Sequence, residues 1–412
     1  MNKKIGRLFQ GDMVIWVIFF LLCCISLIEV YSAGATLTYQ SGNTFAPLIK
    51  QGGFLALGTS AAIIVHNIPC RWFRAIPPLG YLAVVGMLVF VLVGGVKEND
   101  ASRWIDLFGI RFQPSEIAKG VLITTVALVL MMMQTEKGAD RRAMKWVLVL
   151  SVPVCGLIFV ENFSTAAMLF FVVWIMMILG RVPWKQIILL TSILAALGGL
   201  GLGALMAVPS GAGGDGALHR ASVWKGRLVT AFSHKEEPAD SFDLNTHAQQ
   251  GYSSIAIASS RITGKGPGNS TMRDFLPQAY SDFIYAIIIE EFGLWGGAIV
   301  VLLYFWLLIQ CGRIANRCKG VFPALLVMGL SIMLVVQALF NMAVAVGLAP
   351  VTGQPLPLIS RGGTSTLITC VYFGMILSVS RYAPRRKPDP DERSASPLSA
   401  DETAFQAETD LG

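Results

Sequence analysis

The stretch GKGPGNSTMRDFLPQAYSDFIYAIIIEEFGLW, residues 264–295, passes within a few positions from a glycine-rich polar loop to an apolar helical run carrying Asp282, Glu290 and Glu291. A charged side chain at the centre of a lipid-embedded helix is unfavourable by roughly 2.5–3.5 kcal/mol on insertion scales. Such residues therefore face protein or a watery cavity and often mark function. Asp282, at the boundary itself, is the leading catalytic candidate. Composition agrees that a membrane is the solvent. A chain of 412 residues that is 54% hydrophobic and only 14% charged, with a mean hydropathy of +0.62, is excluded from the ordinary soluble globules.

Outward from that stretch, apolar runs lie at roughly 13–33, 46–66, 75–96, 115–133, 146–160, 164–180, 186–208, 283–310, 321–349 and 364–381. They predict an all-α polytopic membrane protein of ten transmembrane helices, with a large extracytoplasmic loop, about 209–282, between helices 7 and 8. The first run follows Lys3, Lys4 and Arg7 and is long enough to span, as a signal anchor does. Turns after the even-numbered helices carry the cations, among them Arg71, Arg74, Arg141, Arg142, Arg181, Lys185, Arg313 and Arg317. The positive-inside rule then sets both termini in the cytoplasm. The organisation is a cytoplasmic N-terminus (1–12), a membrane domain (13–381) and a disordered cytoplasmic tail (382–412) rich in Pro, Ser, Asp and Glu. The net charge of +7 comes largely from those turns, so it reports orientation and anionic lipid, not nucleic-acid binding. Most of the seven cysteines lie in apolar runs, and no structural disulfide is expected. Cys311 and Cys318 read as free thiols, with no Cys/His set for zinc.

This topology gathers the unusual motifs, from 97–114, 209–282 and 350–363, on the outer face. In SRWIDLFGIRFQPSEIAKG (102–120), Trp104 suits the interface and Pro114 starts the fourth span. Glu116 and Lys119 share one helix face at i and i+3. They are either a structural ion pair or, with Arg103, a site where Lys119 attracts an anionic headgroup and Glu116 orients it. Glu161 and Asn162 break two short spans and can cap the sixth. The segment HRASVWKGRLVTAF (219–232) mixes Arg220 and Arg227 with aromatic residues, as either a solvated basic face or an interfacial segment touching lipid phosphates. Residues 249–270 look like a phosphate loop but lack its Gly-Lys-Ser/Thr ending. Their glycines at 264, 266 and 268 permit tight turns and close approach of backbone N–H groups to an anion or sugar. LAPVTGQPLPLISRGGTSTL (348–367), with three prolines and three glycines, predicts a rigid re-entrant turn.

Taken together, Arg103-Trp104, Gln113-Pro114-Ser115-Glu116, Gly266-Pro267-Gly268-Asn269-Ser270, Leu276-Pro277 with Asp282-Phe283, Glu290-Glu291-Phe292-Gly293 and the run 357–365 resemble the SEDS family of FtsW and RodA. Many relatives carry an aromatic residue where Arg361 stands and a Pro-Asp pair where Glu161 and Asn162 stand. The GPGNSTMRDFLPQAYSDF loop and PLISRGGTS look more like FtsW, the division member, than RodA, the elongation member. The resemblance implies a peptidoglycan glycosyltransferase polymerising lipid II outside the bacterial inner membrane, at the division septum. A class B penicillin-binding protein and other divisome proteins are the implied partners. It assigns the required aspartate to Asp282, the interfacial tryptophan to Trp104 and the charged pair to Glu116 and Lys119.

The chemistry sets two tasks: removing a proton from the C4 hydroxyl of one lipid-linked disaccharide and stabilising the departing pyrophosphate of another. Asp282, expected in the first turn or N-cap of the eighth span, takes the first. Lys119 and Arg103, with Arg220 and Arg227 behind them, take the second, and Ser270 and Ser360 are expected to touch substrate. Glu290 lies roughly 12 Å further along the helix, too far to share one bond with Asp282, so Glu290 and Glu291 are expected to hold the site in shape. Gly268, Pro357, Gly362 and Gly363 are expected to support its turns. A divalent cation, magnesium or manganese, is compatible with the leaving group, although no compact metal-ligand motif is visible. Two rival classes are a lipid II flippase, which needs charges near the midplane and related halves, and a noncatalytic scaffold, which leaves the outer motifs without a task.

Overall fold

The computed structural model describes residues 10–34, 45–94, 96–98, 101–107, 110–136, 138–207, 248–276, 279–351 and 353–383. The N-terminal part of 1–12, most of 382–412 and most of the large loop lie outside the described residues. Among the described residues a helix overlaps each predicted apolar run: α1 Met13–Ala33, α2 Ala46–Asn67, α3 Ile76–Gly94, α4 Pro114–Met132, α5 Arg141–Glu161, α6 Phe163–Leu179, α7 Trp184–Ala207, α9 Ile284–Arg317, α10 Val321–Ala345 and α11 Thr364–Tyr382. Among the described residues, eight helices are long and apolar enough to cross a membrane. The protein is a multi-pass helical membrane protein.

Local chemistry explains several boundaries. Asp12 caps α1 by accepting from Val14 N at 3.0 Å. Asp140 accepts from Arg142 N at 2.7 Å and starts α5 at Arg141, earlier than the predicted 146. Pro114 occupies the first position of α4, where its missing N–H has no partner to lose. Asn162 alone separates α5 from α6, and its Oδ1 accepts from Thr165 N at 3.1 Å, satisfying one of the donors a helix start leaves open.

Three elements escape the sequence reading. The predicted outer loop 97–114 contains an antiparallel sheet of β1 Val96–Glu98, β2 Ala101–Leu107 and β3 Ile110–Phe112. Its strands are too short to give a clear period-2 signal. A small hairpin, β4 Gln134–Thr135 with β5 Gly138–Ala139, joins α4 to α5. Residues read as a glycine-rich loop begin instead with a helix, α8 Ala248–Ser260. Its buried positions include Ser253, Ala256 and Ser260, small residues that hydropathy does not register.

The helix α10 and its neighbour α4 form the centre, with 72% and 67% of their apolar windows buried, whereas α7 is only 11% buried. Lipid tails are as apolar as leucine, so helices associate through close packing and internal hydrogen bonds. Gly374 of α11 sits where a Cβ would stand 2.9 Å from the Ala62 carbonyl oxygen of α2. The Tyr372 hydroxyl enters the α4 ladder, accepting from Gly120 N at 2.9 Å and donating to the Glu116 carbonyl. A Gly374→Ala substitution is expected to cost about 1–3 kcal/mol through overpacking. Gly53→Ala, where an added Cβ meets nothing within 4 Å, is expected to leave the melting temperature unchanged or raised. Thermal unfolding of the two variants in detergent checks the contrast.

Candidate functional site

The first helical residue of α9 is Ile284, and its cap is Phe283, which makes no side-chain capping bond. Asp282 therefore stands one residue ahead of the cap, correcting its expected place in the first turn or N-cap. The reason is apolar: Phe283 is buried in a cluster with Leu276, Ala279, Ile287, Val344 and Ala349, which sets the register of the turn. Asp282 remains partly exposed, and Ser281 Oγ donates to its Oδ1 at 3.1 Å. Its backbone is held from distant parts of the chain. Arg361 N donates to the Tyr280 carbonyl at 3.0 Å, Ser360 Oγ to the Ser281 carbonyl at 2.6 Å, and Asn341 Nδ2 to the Asp282 carbonyl at 2.9 Å. Arg361 also lies over the Tyr280 ring, 5.4 Å from its centroid.

Ser360, expected to touch substrate, is buried and accepts from Leu356 N while donating to Ser281. These bonds fasten the re-entrant segment to the Asp282 turn. Within that segment the Pro357 carbonyl accepts from Tyr304 Oη of α9. Leu358 adopts φ 65°, a backbone state uncommon for a non-glycine residue. Gly363, at φ 52°, caps α11 directly after Gly362.

The glycine-rich loop lies against a break in α9. Gly293 has φ 72° and ψ −171°, and the carbonyls of Glu290 and Glu291, just before it, accept from Lys265 N at 3.0 Å and Gly266 N at 2.8 Å. The two carboxylates then receive the rest of the loop. Glu290 accepts from Lys265 Nζ, Ser270 Oγ and Thr271 N, and Glu291 from Gly268 N at 3.0 Å, Ser270 N and Ser32 Oγ of α1. The three glycine N–H groups expected to meet an external anion or sugar have partners within the protein: the Ser260 carbonyl for Gly264, the Glu291 carbonyl for Gly266 and the Glu291 carboxylate for Gly268. Ser270, expected to touch substrate, is buried and hydrogen-bonded to both glutamates, which anchors the loop. A Cβ on Gly264 would come within 2.3 Å of the Glu291 carbonyl oxygen, so this position admits only glycine. Arg273 Nη1 completes the seat by donating to the carbonyls of Ser32 at 3.0 Å and Gly268 at 2.9 Å.

Lys119 is fully buried. Its Nζ donates to Glu116 Oε1 at 2.7 Å and to Gln337 Oε1 of α10 at 2.8 Å. Of the two readings left open, the structure shows the ion pair, with Glu116 placed beside Lys119 Nζ. Arg103 lies in β2 beside the half-buried Trp104, which pairs with Val96. Arg220 and Arg227 lie outside the described residues. The sheet is tied to the site, because Thr364 Oγ1 of α11 donates to the Arg111 carbonyl of β3 at 3.0 Å. Among the described residues no group of three or more His, Cys, Asp or Glu side chains could hold a metal ion. All seven cysteines are free, and burial pushes the Cys318 thiol up to about 11.

Sequence reasoning missed the amides that join these parts. Gln337 Nε2 donates to the Pro355 carbonyl at 3.0 Å, and Asn341 Nδ2 to the Gln354 carbonyl at 2.7 Å. Gln354 Nε2 reaches Thr165 Oγ1 of α6. The available signal was two amides four residues apart inside an apolar run, since polar residues within a membrane helix face protein. The buried pair yields a test. Glu116→Ala leaves the Lys119 charge without its carboxylate and is expected to cost about 3–5 kcal/mol, whereas Glu116→Leu combined with Lys119→Met is expected to lie near neutral. Thermal unfolding of both variants decides, and equal losses would refute the ion pair's role.

The family model described as cell cycle protein, covering FtsW, RodA and SpoVE, matches residues 12–385. A probable peptidoglycan glycosyltransferase FtsW from Halomonas elongata is 32% identical over 89% of this chain and 90% of its own length. Another from Nitrosococcus halophilus is 33% identical over 81% and 82%. Among solved structures, a chain from a peptidoglycan synthase complex that coordinates polymerization and crosslinking superposes with a TM-score of 0.69 at 24% identity, covering 91% of this chain and 99% of that one. The rod shape determining protein RodA of Thermus thermophilus gives 0.61 at 24% identity, over 91% and 98%. The fold is thus shared with both, and the match of the family model along the membrane domain shows that the chain belongs to the FtsW/RodA/SpoVE family of cell cycle proteins.

Proposed function

We propose that the protein is a peptidoglycan glycosyltransferase that polymerises lipid II during septal wall synthesis, on the periplasmic side of the bacterial inner membrane. The observation that carries this reading is the partly exposed Asp282 carboxylate, held by its backbone at the start of α9 within a family whose relatives are named for that activity. The cytoplasmic placement of both termini and the three-part organisation belong to the same proposal.

In the reaction, Asp282 takes the proton of the C4 hydroxyl as its oxygen attacks the anomeric carbon of a second lipid-linked disaccharide. The new glycosidic bond forms as the bond to the polyprenyl pyrophosphate breaks, and the electron pair leaves with the pyrophosphate. Arg103, Arg220 and Arg227 are the cations proposed to stabilise that charge, with Trp104 at the interface. Lys119 and Glu116 act from within the protein, through Gln337 and the re-entrant segment. A magnesium or manganese ion is compatible with the leaving group, and no step here is routed through it.

The partner is a synthase carrying the crosslinking activity, a class B penicillin-binding protein, with other divisome proteins around it. The related peptidoglycan synthase complex supports a partner of this kind. Polymerisation by the purified chain is expected to rise when the partner is co-purified, and equal activity alone and in complex would reject the coupling. Asp282→Asn keeps the size of the side chain and an oxygen that can accept from Ser281 Oγ. It is expected to remain folded and bound to the partner while losing about 10²–10⁴-fold of its polymerising rate, the usual worth of a general base. Gel analysis of glycan strands from lipid II reads the outcome. Substantial polymer from the variant refutes the base, and transbilayer movement of lipid II without polymer by the unaltered protein assigns a flippase instead.

A further inference from the structure

We propose that Asn341 is the positioning residue for Asp282, an inference that rests on the assignment of Asp282 as base. Asn341 is 1% exposed on α10, and the two hydrogens of its amide meet two carbonyl oxygens from separate segments. One is that of Asp282 at 2.9 Å, the other that of Gln354 at 2.7 Å. Both partners are acceptors, so the amide orientation is fixed: the reverse would set an oxygen against two oxygens. The side chain thereby clips the start of α9 to the re-entrant segment at the residue that carries the carboxylate.

The neighbouring ties do not duplicate it. Ser360 holds the carbonyl of Ser281 and the Arg361 N–H that of Tyr280. Asn341 is the tie that reaches the carbonyl of Asp282 itself, one residue ahead of the cap Phe283. A part-buried carbonyl that loses its donor shifts toward another partner, and a shift of this one turns the Cα from which the carboxylate projects. Misplacement of a catalytic group by about 1 Å can cost 10²-fold in rate with binding intact. Asn341 therefore acts on turnover through Asp282 and touches no substrate itself.

The test uses the full chain co-purified with its class B partner and compares Asn341→Leu, of similar size without donors, with Asn341→Gln, which keeps the amide on a longer arm. For Asn341→Leu, kcat for lipid II polymerisation is expected to fall about 10–100-fold while KM stays within twofold. Asn341→Gln is expected to fall between it and the unaltered protein. Thermal unfolding establishes that each variant is folded. The inference is overturned if folded Asn341→Leu keeps its kcat, if KM rises with kcat unchanged, or if Asn341→Gln is no better than Asn341→Leu. It is also withdrawn if neither variant accumulates as folded protein, since Asn341 would then be a folding determinant. Failure of the underlying reading looks different, because there Asp282→Asn itself makes polymer.

Discussion

The backbone groups freed where α9 breaks at Gly293 have to be satisfied inside the protein, and the shape of the site follows from how that is done. Lipid offers no hydrogen-bond partners, so irregular backbone at membrane depth survives only where protein supplies them. Here the loop 264–276 supplies them, its N–H groups meeting the carbonyls of Glu290 and Glu291. The same two residues turn their carboxylates onto the next N–H groups of that loop. Hydrogen bonds to a charged acceptor are roughly twice as strong as neutral ones, which suits a pair of buried acids to this duty. The loop thus closes on the helix it precedes, and Asp282 lies in the connection between them.

A second set of internal partners sets the height of that connection. The central helix α10 carries Gln337 and Asn341 one turn apart, and each amide donates to a carbonyl of the re-entrant segment at 355 or 354. Gln337 also accepts from Lys119, which is how the buried ion pair of α4 reaches the segment. Burying Glu116 and Lys119 together is costly to the fold unless their remaining capacity is used. The contacts of Lys119 with both Glu116 and Gln337 meet that demand. In the fold the two charges are joined through Gln337 to the re-entrant segment.

The division between exposed and buried groups separates chemistry from support. Asp282 and Trp104 keep contact with solvent, whereas Ser270, Ser360, Glu290, Glu291 and Lys119 are buried with their polar atoms engaged. The short sheet β1–β3, tied to α11 through Thr364, carries Arg103.

The sequence by itself determined the helical membrane architecture, because a bilayer admits few solutions and long apolar runs with cationic turns are unambiguous in it. It also singled out Asp282 as a candidate, a carboxylate just ahead of an apolar helix, and it marked the glycine-rich and proline-rich turns through their φ requirements. What only the tertiary structure decided is which polar groups meet. Ser360 and Ser281 are 79 positions apart, and Lys119 and Gln337 are 218 apart. No local periodicity carries such pairings, because they depend on how helices cross and on glycines such as Gly374 that let backbones approach. The strands at 96–112 and the helix α8 were hidden for a related reason: their residues are short or small, and their order comes from packing against neighbours instead of from hydrophobic pattern.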